Sequence, residues 1–179
     1  MIVNCDWLPP LVLQDSNTSN EEYLDLLYFI FSNDFIDSHP IFDNKIVKIR
    51  FHPRVDNREQ AFYHVTTCGD STRELDIDRC ERIRWIRAFI EHASCHKATC
   101  SDCNGMKMWS EPYHGNARIK IFLSEERYLV VLEKRTRYVL LITAYYVSYD
   151  HSLAKLEKSY AKARGASFET PPETPSTLS

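Results

Sequence analysis

Three apolar runs in the C-terminal half, ARIKIFLS (117–124), RYLVVLEKR (127–135) and YVLLITAYYV (138–147), most constrain what this chain can fold into. Each has strand length and is rich in β-branched and aromatic residues. The connections Glu125-Glu126 and Lys134-Arg135-Thr136-Arg137 are short enough for antiparallel hairpins, so a three-stranded meander is the economical arrangement. The second and third runs are apolar on both faces, which places them centrally, with helices covering at least one side. With 44% hydrophobic residues and only 4 Gly in 179 residues, the rest reads as one ordinary globular domain. Collagen, a long coiled coil and wholesale disorder are excluded.

The flanking segments supply the helices. Residues 1–20, with Pro9-Pro10 and a polar run from Gln14, read as an irregular arm that buries little. Ser19 or Asn20 can cap a helix opening with Glu21-Glu22 and ending near Asn33, and Ile46 to Phe51 alternates like a strand. QAFYHVTT (60–67) reads as a strand from its aromatic and β-branched content. Asp76 or Asp78 starts a helix with an apolar stripe and with Arg79, Arg82, Arg84 and Arg87 on its other faces. A last helix spans 151–164. The expected fold class is α+β, N-terminal helices packed on a small twisted antiparallel sheet. An acidic arm and helix (1–40), a main domain (41–164) and a disordered Pro/Ser/Thr tail (165–179) divide the chain.

Charge is uneven. Residues 1–72 hold 5 Lys+Arg against 11 Asp+Glu, and residues 73–164 hold 17 against 12, within a net charge of -3. The second half is therefore a candidate surface for a polyanion. No apolar run reaches the roughly 20 residues that span a bilayer, and the start lacks a basic n-region followed by an apolar h-region. No membrane partner and a cytoplasmic, reducing location are expected, the latter because 6 scattered and clustered Cys make no disulfide scaffold.

Four sets of residues carry candidate chemistry. His92, Cys95, Cys100 and Cys103 could hold a closed structural zinc in a Cys-rich loop, with His96 competing as the nitrogen donor; the same residues also read as reduced thiols in a polar loop. No cofactor is expected for catalysis. His64 has the proton affinity to serve as a general acid or base. Arg118, Lys120, Lys134, Arg135 and Arg137, with Thr143 and Tyr145, lie along the meander, where cations could stabilise a pentacoordinate phosphate. A solvated face explains the same residues. Trp109, Tyr113 and His114 could stack on bases or roof the core.

The motif order FYHVTT, ELDIDRCERIRWIRAFIE, a Cys-containing loop with a Trp, ARIKIF, RYLVVLEKR, LLITAYYV and KLEKSYAKA resembles phage-encoded members of the barnase, EndoU, colicin and RelE (BECR) group of nucleases. The resemblance runs from about Phe42 to Arg164. It implies helices followed by a four-stranded antiparallel sheet, and RNA cleavage without metal by attack of a 2′-oxygen on the neighbouring phosphorus. Of a toxin or defence protein of this group, an antitoxin or immunity protein, or a host factor, is the expected partner beside RNA. Carried onto this chain, the resemblance implies His64 as general acid or base, Arg82 and Arg135 on the phosphate, Thr143 and Tyr145 as donors to it, and Arg79 on RNA. Trp109, Arg118, Lys120 and Lys134 complete the expected RNA-binding set. The alternative is a phage protein that binds nucleic acid or a host protein without chemistry.

Overall fold

The computed structural model describes residues 5–69, 73–95 and 104–166. Helix α1 (Asn20–Phe35) begins with a capping box, in which Ser19 accepts from the Glu22 amide and the Glu22 carboxylate accepts from the Ser19 amide. Its buried face, Tyr23, Leu27, Ile30, Phe31 and Phe35, follows helical spacing into the main core. A short hairpin, β1 (Ile41–Phe42) and β2 (Lys45–Lys48), follows; then come α2 (Gln60–Thr66), β3 (Thr67–Cys68) and β4 (Glu74–Leu75). Next are α3 (Ile77–Glu81), capped by Asp76, and α4 (Ile83–Glu91). Strands β5 (Lys107–Tyr113), β6 (Asn116–Leu123), β7 (Tyr128–Lys134) and β8 (Val139–Tyr146) form an antiparallel meander, closed by α5 (Asp150–Ala166).

The protein is thus α+β, with an antiparallel-rich sheet of order β1-β2-β8-β7-β6-β5. It is larger than the three-stranded meander expected and not wholly antiparallel, since β2 runs parallel to β8 through Val47↔Val139 and Lys48↔Leu140. Along β6 and β7, whose pairing is regular, residues alternate between two faces. One face, with Ile119, Ile121, Tyr128, Val130 and Leu132, packs beneath α1–α4. The other, with Trp109, Phe122, Leu129 and Val131, packs against Leu153, Leu156 and Tyr160 of α5.

Three local expectations are corrected. QAFYHVTT is not a strand: Ala61, Phe62, Val65 and Thr66 are the buried positions, which is helical spacing, and tertiary packing overrides the β propensity of the individual residues. The arginine helix is not continuous, because Arg82 leaves helical geometry (φ -100°, ψ 17°) and splits it into α3 and α4. The arm is docked: Cys5 and Val12 are buried, the Val12 amide donates to the Glu81 carbonyl at 2.8 Å, and Trp85 Nε1 donates to the Pro9 carbonyl at 2.8 Å.

Candidate anion pocket around His64

A helix leaves its last carbonyls without partners inside the helix. At the end of α2, Thr66 and Thr67 turn their hydroxyls back onto the carbonyls of Phe62 (2.8 Å) and Tyr63 (2.6 Å), and the Asp76 amide takes the Thr66 carbonyl at 3.0 Å. The His64 carbonyl is met by side chains instead. Arg79 donates to it at 2.8 Å and Thr143 at 3.2 Å, so α3 and β8 both fasten the residue that carries the imidazole.

Strand β8 reaches this position through a bulge. Between Val131 and Leu132 on β7 the register jumps from Thr143 to Leu141, leaving Ile142 as the extra residue. Bulges re-aim side chains, and here Ile142 and Thr143 enter the wall of a cavity of about 410 Å3 beside α2. Arg50, Ala61, His64, Cys68, Arg73, Arg79 and Arg118 supply its other main walls. Arg50 arrives because β2 runs parallel to β8 and the Arg50 carbonyl accepts from the Ala61 amide at 3.1 Å. Arg73 arrives because the β3–β4 hairpin, with Thr67 opposite Leu75, folds it back over the end of α2.

The four guanidiniums are not equivalent. Arg79 is paired with Asp76 (3.1 Å) and lies over the Tyr145 ring (5.3 Å to its centroid). Arg118 is paired with the buried Glu133 at 3.4 Å and lies 3.4 Å from the Tyr113 ring centroid. Among the described residues Arg73 makes three contacts, none with a carboxylate: to the Thr67 hydroxyl (2.8 Å), to the Thr67 carbonyl (3.4 Å) and to His64 Nδ1 (3.2 Å). Arg50 is exposed, and its side chain has no ion pair among the described residues. Two positive charges that no carboxylate among the described residues compensates therefore face one cavity. Burial pushes the His64 proton affinity below its ordinary value, and the charges of Arg73, Arg50 and Arg79 push it further the same way. The imidazole is held neutral at neutral pH.

His64 and Thr143 come together as expected, with Arg79, Arg118 and Tyr145 close by. Arg82 does not line this pocket. It bonds Asp78 (2.9 Å to the carbonyl, 3.1 Å to the carboxylate) and lies over the rings of Tyr146 and Trp85. Arg135 pairs with Glu133, the carboxylate shared with Arg118, and is likewise outside the lining. Thr143 and Arg79 bond the His64 backbone rather than presenting their donors to an open site. Trp109 is no open stacking platform: it is buried on β5, donating to Ser159 (2.9 Å) and Glu111 (3.1 Å) and packing on Tyr160. Lys120 pairs with Glu111 at 2.7 Å and Lys134 with Asp43 at 3.6 Å, both away from His64.

Of the expected zinc set, Cys100 and Cys103 lie outside the described residues. His92 stacks on Trp7 with its Nδ1 2.9 Å from the Ala88 carbonyl, and Cys95 packs against the core. Among the described residues no group of three or more His, Cys, Asp or Glu is placed to hold a metal, and no helix is long and apolar enough to cross a membrane.

The expected site set contained neither Arg50 nor Arg73. Both had a signal: Arg50 continues the Ile46–Lys48 alternation, and the Cys68-Gly69 turn before Arg73 implied that the chain doubles back. Compared with known proteins, the chain matches no family model, no curated protein and no solved structure.

Proposed function

We propose that this protein cleaves RNA without a metal, using the pocket around His64. The observation that carries this reading is the His64 imidazole in one 410 Å3 cavity with two guanidiniums that no carboxylate among the described residues neutralises. That volume falls in the range of about 300–1,000 Å3 common to small-ligand sites, so the unit recognised is about one nucleotide of single-stranded RNA rather than a duplex face. In the reaction, His64 takes the proton of a ribose 2′-hydroxyl as the O2′–P bond forms. The resulting imidazolium returns a proton to the 5′-oxygen as the P–O5′ bond breaks, leaving a 2′,3′-cyclic phosphate and a free 5′-hydroxyl. Arg50 and Arg73 stabilise the extra charge of the pentacoordinate phosphorus. Arg79 and Thr143, held on the His64 carbonyl, are positioning residues.

The test is cleavage of single-stranded or transfer RNA by purified protein in EDTA, with cyclic phosphate sought at the 3′ ends. His64→Ala abolishes cutting while leaving the thermal transition in place, because the anchoring bonds are made to the backbone carbonyl and survive the change. Since the His64 proton affinity is depressed, the ring stays unprotonated to just below neutral pH; cutting falls as pH drops below the ordinary histidine range. Loss of cleavage in EDTA alone would overturn the mechanism. One observation favours a second reading, an RNA-binding module without chemistry: Arg73 occupies the imidazole nitrogen that a base would use. Salt-sensitive RNA binding with no product would select it.

A further inference from the structure

Arginine has donors and no acceptor, so the 3.2 Å contact between Arg73 Nη1 and His64 Nδ1 has one polarity: the guanidinium donates and the imidazole lone pair accepts. The ring proton of neutral His64 then sits on Nε2. A neutral imidazole with its lone pair engaged can neither accept a proton nor deliver one readily. Arg73 Nε and Nη2 rest on Thr67, a hydroxyl and a carbonyl on the same strand, so the guanidinium is tethered on one side while Nη1 faces the cavity.

We propose that Arg73 is a displaceable cap on His64: an incoming phosphate draws the Arg73 Nη1 donor away from the imidazole and so frees Nδ1 only when an anion is bound. This deepens the reading of the pocket as a phosphate site and rests on it, but not on RNA being cut. A phosphate oxygen carries charge, so Coulomb attraction to the guanidinium adds to the hydrogen bond that a neutral imidazole nitrogen offers by itself, and the anion outcompetes the imidazole for a guanidinium that has no carboxylate of its own among the described residues. The charged groups lining the pocket with His64 are Arg50 beyond β2, Arg73 before β4, Arg79 on α3 and Arg118 on β6. All four are cations, so a bound anion offsets the charges of Arg73, Arg50 and Arg79 that add to burial in lowering the proton affinity of the imidazole, which rises as its lone pair is released. The imidazole becomes competent at the moment its substrate arrives.

The experiment is nitrogen NMR of the histidine rings in the full chain, titrated with inorganic phosphate alone. Without phosphate, His64 is expected as the Nε2–H tautomer; at saturation its Nδ1 signal moves and its titration midpoint rises by about one pH unit, a tenfold change in proton affinity. Arg73→Ala gives a mixed tautomer before any phosphate is added, and Arg50→Ala keeps the wild-type tautomer but binds phosphate about tenfold more weakly. The wild-type titration needs no variant to fold. An Nδ1–H tautomer in the free protein, or His64 signals that phosphate leaves unchanged, would overturn the cap. RNA cleavage does not enter this readout. A protein that shows the phosphate-driven change but cuts no RNA refutes the nuclease reading and keeps the cap, whereas one that cuts RNA with unchanged histidine signals refutes the cap alone.

Discussion

At the scale of single residues, what separates a binding arginine from an anchoring one is its partner rather than its charge. Arg79 satisfies an orphan helix carbonyl and an acid, whereas Arg50 satisfies nothing and stands exposed at the same cavity. Arg79→Ala is therefore expected to cost about 1.5–3 kcal/mol, the range for hydrogen bonds to charged groups, and Arg50→Ala less than about 0.5 kcal/mol, as for a surface change. Urea denaturation of the two variants checks this, and equal losses would mean that Arg50 is structural. Glu59 makes the same point with the opposite sign. It is 1% exposed and would be costly alone, but Tyr28 donates to it at 2.8 Å and Arg54 at 2.6 Å. Glu59→Ala removes the carboxylate that Tyr28 and Arg54 share and leaves its buried site empty, and should lower stability by about 1–3 kcal/mol in the same assay. The Tyr28–Glu59 bond and the Arg79 bond to the His64 carbonyl are not readable from spacing, since they join residues 31 and 15 positions apart.

At the scale of elements, legibility followed how far one residue's neighbours in sequence are its neighbours in space. The capping box of α1, the strands β6 to β8 and the stripe of α4 are local patterns, and each was visible. Strand β5 was not. It is an edge strand carrying Pro112, only Trp109 along it is buried, and its identity comes from pairing with β6, Trp109 opposite Lys120. Helix α2 was misread because seven residues cannot show a period clearly against a β-prone composition. The α5 contact is made by the same edge strand. Lys107 binds Glu157 at 2.6 Å, and Glu111 accepts from Lys120, Trp109 and Ser159. Burial alone would raise the Glu111 proton affinity, but hydrogen bonds from Lys120, Ser159 and Trp109, with the Lys120 charge, outweigh it and bring the carboxyl down to about 2. A depressed carboxylate stabilises the fold above its unfolded value, 4.5, and that contribution drains away as pH falls toward about 2. With 39% of the side chain exposed, solvent screening reduces it to about 1 kcal/mol. Thermal melts of Glu111→Gln should therefore run below wild type at neutral pH and converge with it as pH falls to about 2; parallel curves would show that the carboxylate does not clasp α5.

At the scale of the whole molecule, a net charge of -3 coexists with a pocket whose uncompensated groups are cationic. At physiological ionic strength, charges are screened beyond about 8 Å, so a strand of RNA entering the pocket responds to Arg50 and Arg73 far more than to acids elsewhere on the surface. The division of the sequence into an acidic first part and a basic second part was a poor guide to this site, because Arg50 belongs to the acidic part and the sheet carries it across. A pocket-sized contact also predicts a particular salt dependence. Each phosphate neutralised on a single strand contributes about -0.7 to the slope of log affinity against log salt, so two guanidiniums on the backbone give a slope near about -1.4. Fluorescence polarisation of a short single-stranded RNA over a range of KCl should return that shallow value, and Arg50→Ala should reduce it by about 0.7. A slope of about -4 or steeper would mean that RNA is held by a broad basic face, with the His64 cavity incidental to it. A slope unchanged in Arg50→Ala would remove that residue from the contact, and with it half of the uncompensated charge on which binding at this pocket depends.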